Sequence, residues 1–193
     1  MSKMGEQITR INRELVHSGT ILDIYKDTME LPNGKTEEWD FVSHRKGAAA
    51  VVAVREDGKV LMVRQYRPSL ERETLEIPAG ARDSVTEDTK VTAARELEEE
   101  TGYKSDKISF LISLKTTVAF CDEFVDVYLA RDLVKTEQHL DDAEDIVVEA
   151  WDLDDLCDLI YMGRIQDAKT VASILAYKNI VNINAGDYCP GRA

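Results

Sequence analysis

Apolar residues along this chain change their spacing from stretch to stretch, and each spacing predicts an element. Residues 18–30 (SGTILDIYKDTME) and 37–44 (EEWDFVSH) carry them at partly alternating positions on either side of LPNG at 31–34, which predicts a hairpin. GAAAVVAV (47–54) is an unbroken apolar run, the pattern of a buried strand. The Asp-Gly turn in EDGK (56–59) leads into a returning strand, VLMVRQYR (60–67). TLEIPAG (74–80) reads as a short strand that stops at Pro-Ala-Gly. From about Glu87 to Thr101 the period becomes helical, with Val91, Ala94, Leu97 and Ala93 as the apolar stripe and Gly102 as the C-terminal stop. Strands are predicted at 108–118, 123–130 and 146–153, and helices at 154–163 and 167–179. From Ile180 to Ala193 the pattern gives no clear signal.

These elements sum to an α+β fold: a mixed sheet with helices, preceded by antiparallel strands. The expected organisation is an N-terminal strand-rich extension (1–45), a main domain (46–180) and a C-terminal tail (181–193). The 193 residues, 44% hydrophobic and 32% charged, suit one globular domain with a small extension. No run of eighteen apolar residues occurs, so no membrane span is expected. The opening MSKMGEQITR lacks the apolar stretch of a signal peptide. Cys121, Cys157 and Cys189 are odd in number and form no CxxC pair. That argues against a disulfide framework or a zinc site and points to a reducing cytoplasm.

The net charge of −13 disfavours nucleic-acid backbones and anionic membranes as partners. Its distribution adds more. Residues 45–72 hold seven Lys or Arg against three acids, and residues 137–158 hold ten acids with no Lys or Arg. A basic segment can hold an anionic substrate and an acidic one can help hold metal; both are also what two solvated faces look like.

The helix predicted at 87–101 concentrates four glutamates in five positions, 96 to 100. At about 100° per residue, Glu96 and Glu100 lie about 40° apart, Glu99 about 60° to the other side, and Glu98 about 160° away. Three carboxylates therefore share a face, and Arg95 sits four residues before Glu99. Like charges at this spacing repel unless a counter-charge joins them. Hard oxygen donors on one face suit Mg²⁺ or Mn²⁺, though a solvated acidic face has the same spacing.

The flanks add a motif. The stretch from Gly80 through Glu87 to Arg95, Glu96, Leu97, Glu99, Glu100, Gly102 and Tyr103 resembles the box of the Nudix hydrolases: Gly, five residues, Glu, seven residues, then R-E-apolar-x-E-E-x-G-apolar. The match is complete from Glu87 onward. Six residues rather than five separate Gly80 from Glu87, so either the loop carries an extra residue or Ala81 takes the glycine's slot. The resemblance implies an α/β/α sandwich that hydrolyses a nucleoside diphosphate linked to another moiety. By motif position Glu96, Glu99 and Glu100 would be metal ligands, Glu87 would assist, Arg95 would orient a glutamate, and a backbone carbonyl near Ala79 would add a ligand. Metal would neutralise the pyrophosphate and lower the pKa of the attacking water.

LMVRQYRP (61–68), LEIPAG (75–80), AFCDEFVDVYLARDL (119–133) and DDAEDIVVEAWDLDDL (141–156) are similar to the ADP-ribose pyrophosphatases within that family. This resemblance implies a homodimer with exchanged N-terminal strands and a nucleotide sugar as substrate. Arg67 matches an arginine that contacts substrate phosphate, a task suited to a guanidinium fork, and Arg64 is a second candidate. Trp39 or Tyr25 would stack on adenine, or else pack in the core. Glu144 matches a glutamate that reaches metal. The general base would be Asp142, with Asp141 as its substitute. Thr117-Val118-Ala119 stands where enzymes selective for ADP-ribose carry Ser-Pro-Gly, which leaves other nucleotide sugars, such as ADP-glucose or GDP-mannose, open. A module that binds a nucleotide sugar without turnover is the alternative of a different class.

Overall fold

The computed structural model describes residues 7–140 and 145–184, which fall into two compact units. Of the described residues, one unit takes those up to Gly47 and Lys115–Glu123, the other Ala48–Leu114 and those from Phe124 onward.

The first unit is a three-stranded antiparallel sheet in the order β1 (Thr9–Ser18), β2 (Leu22–Glu30), β3 (Thr36–His44). The hairpin predicted around LPNG is present as β2 and β3, paired without a break from Leu22 opposite His44 to Glu30 opposite Thr36. The strand predicted to begin at 18 begins instead at Leu22, because a turn closes there with the Gly19 amide donating to the Leu22 carbonyl at 2.8 Å. β1 was not foreseen. Its register against β2 slips at Arg10/Asn12 and again at Leu15/His17, so bulges erase the two-residue period that would have marked it. Arg13 crosses from β1 to fork the buried Asp27 with two hydrogen bonds of 2.6 Å, and its guanidinium lies 3.9 Å from the centre of the Phe41 ring. The Lys115–Glu123 segment joins this sheet: Val42 donates to Phe120 at 2.7 Å, and Asp122 accepts from the His44 amide at 2.8 Å.

The second unit is a mixed sheet in the order β12 (Ile146–Trp151), β5 (Val60–Arg67), β4 (Ala48–Val54), β10 (Phe124–Arg131), β9 (Lys107–Lys115). β6 (Arg72–Glu76) pairs with β5, and β7 (Ala79–Ala81) pairs with β4. β4 and β10 run parallel; β4–β5, β5–β12, β5–β6 and β4–β7 are antiparallel. The unbroken apolar run at 47–54 is explained by β4. Its odd residues Ala49, Val51 and Ala53 pack with Ala93 and Leu97 of the helix α1 (Thr89–Thr101). Its even residues Ala50, Val52 and Val54 pack with Leu156 of α2 (Leu153–Tyr161) and Ile174 of α3 (Ala168–Asn184). A strand covered on both faces has no polar side, and the layers are therefore α/β/α. TLEIPAG is two strands rather than one, split at Ile77-Pro78, since proline cannot donate to a ladder. The helix predicted to end at 179 runs to Asn184. Among the described residues no helix is long and apolar enough to cross a membrane.

α1 starts later than Glu87. Asp88 caps it, its side chain accepting from the Lys90 amide at 2.9 Å. The buried stripe runs through Thr89, Ala93 and Leu97, whereas Val91, placed on the stripe from sequence, is exposed. Gly102 ends the helix at φ 67°, its amide donating to Glu98 at 2.9 Å. A Cβ there would also lie 3.1 Å from the Gln138 nitrogen. Gly102→Ala should cost about 1–2 kcal/mol from the left-handed backbone alone, which is about 2–8 °C in a domain of this size. A thermal melt followed by circular dichroism checks this, and an unchanged midpoint would refute it.

Candidate functional site

The site is built where β7 runs past α1. Pro78 lies in the break between β6 and β7, Ala79 opens β7, and the Ala79 amide turns onto the helix to donate to Glu100 Oε2 at 3.0 Å. Gly80 comes closer still. A Cβ on Gly80 would stand 2.1 Å from Glu96 Oε1, so the strand can pass only because this residue has no side chain. Glu96 thus requires a residue without a side chain at position 80. Glu96 and Glu100 are 7% and 3% exposed, and Glu99, on the same face, is half-buried.

Arg95 ties these acids together. Its Nη1 donates to Glu96 Oε1 at 2.7 Å and to Glu99 Oε2 at 2.8 Å, while Nη2 donates to the Ala81 carbonyl at 3.0 Å. The guanidinium therefore fixes two carboxylates and the end of β7 in one geometry. Glu87 closes the loop before the helix: its carboxylate accepts from the Asp83 amide at 2.6 Å, and that hydrogen bond holds its pKa below the ordinary value. Arg82 braces the same loop through the carbonyls of Glu87 and Val85 at 2.9 and 2.8 Å.

Two acids buried side by side on one helix face are costly without positive charge among them. Carboxylates are the donors a hard divalent cation takes, and this face fits one chemically. Among the described residues, no three acidic, His or Cys side chains stand together closely enough to hold one ion, and Arg95 spans Glu96 and Glu99 instead. Asp141, Asp142 and Glu144, the candidates for the base and a further ligand, lie outside the described residues.

The arginine candidates are both engaged. Arg64 forks Glu149 of β12 at 2.5 and 3.1 Å. Arg67 forks Glu76 at 2.7 Å through each of Nε and Nη2. The aromatic candidates belong to the first unit. Tyr25 is partly buried, 6.0 Å from Phe41 between ring centres and 5.1 Å from the Arg13 guanidinium. Trp39 is exposed on β3, its indole N–H donating to Glu37 at 3.3 Å.

A family model described as the NUDIX domain matches residues 44–174 of the chain. The chain belongs to the Nudix family. A methanol dehydrogenase activator of Bacillus methanolicus is 42% identical over 176 residues, covering 90% of this chain and 94% of the relative. An ADP-ribose pyrophosphatase of Bacillus subtilis is 41% identical over 166 residues, 85% of this chain and 89% of the relative. The solved structure of an ADP compounds hydrolase superposes with a TM-score of 0.83 over 97% of this chain and 100% of that one, at 22% identity, which bears out the fold.

The structure adds residues to the Nudix helix that sequence reading missed. The last carbonyls of α1 are taken up by the segment after β11 (Val134–Lys135). The His139 amide donates to Glu99 at 2.9 Å, the Thr136 amide to Gly102 at 2.7 Å, and the Gln138 side chain to Glu100 at 2.7 Å. The same Gln138 amide group donates to Ile146 at 3.3 Å, at the start of β12. Helix ends leave such carbonyls unpaired, and here the partners come from the residues leading toward the acidic loop. Glu76 and Lys169 are the other missed pair. Glu76 is 2% exposed; burial would raise its pKa, but Arg67, with Lys169 and Thr74, outweighs that and holds it down at about 2. No motif links a strand residue to a helix residue more than ninety positions away, so only the fold could show this contact.

Proposed function

We propose that this Nudix hydrolase cleaves the pyrophosphate of ADP-ribose, or of a closely related nucleoside diphosphate sugar. Water adds across the P–O–P bridge, so ADP-ribose gives AMP and ribose 5-phosphate. The observation that carries the reading is the buried Glu96–Glu100 face held against Gly80, with Arg95 tying Glu96 to the half-buried Glu99. The substrate class rests on similarity to ADP-ribose pyrophosphatases, that of Mycobacterium tuberculosis being 34% identical over 86% of this chain.

A divalent cation, Mg²⁺ or in its place Mn²⁺, would be held by Glu96, Glu99 and Glu100 with the Ala79 carbonyl and Glu144, and when bound it supplies charge neutralisation of the pyrophosphate and a more acidic water. Arg95 holds Glu96 and Glu99 in register for that task, and Glu87 keeps the preceding loop closed. Arg67 contacts a phosphate and Arg64 lies on the same strand. Asp142, or Asp141, takes the proton of the attacking water. Trp39 or Tyr25 offers a face to the adenine. The enzyme works in the cytoplasm as a homodimer with exchanged N-terminal strands, and Ile11, Leu15 and Val16, all more than half exposed on β1, are the apolar surface such an exchange would cover.

Purified protein with Mg²⁺ is offered ADP-ribose, ADP-glucose, GDP-mannose, NADH, a diadenosine polyphosphate and ATP, and the products are followed by chromatography. ADP-ribose is expected to show the highest kcat/KM. Tight ADP-ribose binding with no turnover under Mg²⁺ or Mn²⁺ would identify a binding module instead.

A further inference from the structure

We infer that Glu76 and Lys169 are positioning residues for the substrate pyrophosphate: together they lock the guanidinium of Arg67 in place and aim its open edge at a phosphate oxygen. The inference rests on the functional reading above and assigns work to two residues outside the Nudix box.

The geometry around Glu76 is saturated. Oε1 accepts from Arg67 Nε at 2.7 Å and from the Thr74 hydroxyl at 2.6 Å. Oε2 accepts from Arg67 Nη2 at 2.7 Å and from the Lys169 ammonium. A carboxylate offers about four acceptor sites, and all are taken, three of them by charged donors. Glu76 therefore has no freedom to rotate, and the bidentate fork transmits that rigidity to the plane of the Arg67 guanidinium. Nη1 of Arg67 makes no hydrogen bond among the described residues, and the side chain is 39% exposed. The hydrogen bond to Glu76 raises the Arg67 pKa against the cost of burial, with smaller contributions from the charges of Asp167 and Glu100.

Lys169, in the first turn of α3, supplies the fourth donor to Glu76 and links that carboxylate to Asp167, which accepts from Lys169 at 2.9 Å. The two cations and two carboxylates balance, so what Lys169 contributes is the fixed position of Glu76; without it, Glu76 and Asp167 would share the single charge of Arg67. The same turn grips the backbone beside the site. Asp167 accepts from the Thr170 hydroxyl at 2.6 Å, and that hydroxyl in turn accepts from the Ile77 amide at 3.0 Å. Ile77 is followed by Pro78, Ala79 and Gly80, so α3 braces both the anchored arginine and the strand that meets Glu96 and Glu100.

The test compares wild type, Arg67→Ala, Glu76→Gln, Lys169→Met and Lys169→Arg as full chains, with steady-state kinetics on ADP-ribose and Mg²⁺, calorimetric binding of ADP-ribose, and thermal melts. Lys169→Met and Glu76→Gln should each raise KM about tenfold, the worth of one charge-assisted hydrogen bond, with kcat within about threefold because the acids of α1 are untouched. Lys169→Arg should recover most of the loss. The Arg67→Ala/Lys169→Met double variant should be no worse than Arg67→Ala, since both act through one guanidinium. An active wild type with Lys169→Met unchanged in KM, or with the two losses adding in full, overturns this inference and leaves the functional reading intact. A wild type that neither binds nor hydrolyses ADP-ribose overturns both.

Discussion

Glu100→Gln should lower kcat for ADP-ribose at least about 100-fold, because groups that merely support a metal ligand are already worth 10–100-fold. The melting temperature should stay within a few degrees of wild type or rise. The two halves of this expectation have separate causes. Glu100 is 3% exposed and accepts from the Ala79 amide at 3.0 Å. Glutamine keeps the shape and an oxygen for that hydrogen bond, so packing and the β7–α1 contact survive. It removes one of three negative charges on a shared helix face, and like charges at i, i+4 spacing oppose the fold. What disappears is a hard anionic donor, the one property a divalent cation requires. Turnover against Mg²⁺ concentration, measured beside a thermal melt, separates the two effects. Full activity in this variant would remove the α1 acids from the chemistry; lost activity with a collapsed melt would assign Glu100 to structure.

Much of this arrangement was legible in the chain because its causes are local. An unbroken apolar run of seven or eight residues bounded by turns reads as a strand covered on both sides, and β4 with α1 on one face and α2 and α3 on the other is that strand. The glutamate spacing placed Glu96 and Glu100 on one face, and both are buried on it. Gly102 was readable as a helix stop because αL geometry favours glycine wherever it occurs. What escaped is set by tertiary contact. β1 lost its alternation to two bulges, which only the pairing with β2 makes affordable. Val91 carried the right spacing for the stripe but lies on the outer side, because the helix meets the sheet through Ala93 and Leu97. Arg67 was singled out by its resemblance to an arginine that contacts phosphate; its partner Glu76, and Lys169 beyond it, could not be found from motif or spacing. Gln138 gave no signal either, since a helix end can be satisfied from any direction.

Gly80→Ala is the sharper test of the site, because it adds one methyl group and touches no acid. The backbone at Gly80 is not in the left-handed region, so alanine meets no conformational penalty there. The obstacle is the Glu96 carboxylate, whose Oε1 and Cδ would stand 2.1 and 2.2 Å from the new Cβ. β7 cannot retreat cheaply, since Ala48, Ala49 and Ala50 of β4 pair with Ala81, Gly80 and Ala79. The end of a glutamate side chain is the softer of the two, and it is what should move. Displacing it breaks the 2.7 Å hydrogen bond with Arg95, which also orients Glu99. One methyl therefore misplaces two of the three carboxylates. Misplacement of about 1 Å can cost 100-fold in rate, and we expect a loss of at least that order in kcat. The melting temperature should fall by only a few degrees, because the atoms that move are at the tip of a flexible side chain. Restoring room by combining Gly80→Ala with Glu96→Asp should recover stability but not turnover, as the shorter acid clears the methyl without reaching its former position. Wild-type kcat in Gly80→Ala would show that the contact between β7 and Glu96 has no part in the chemistry.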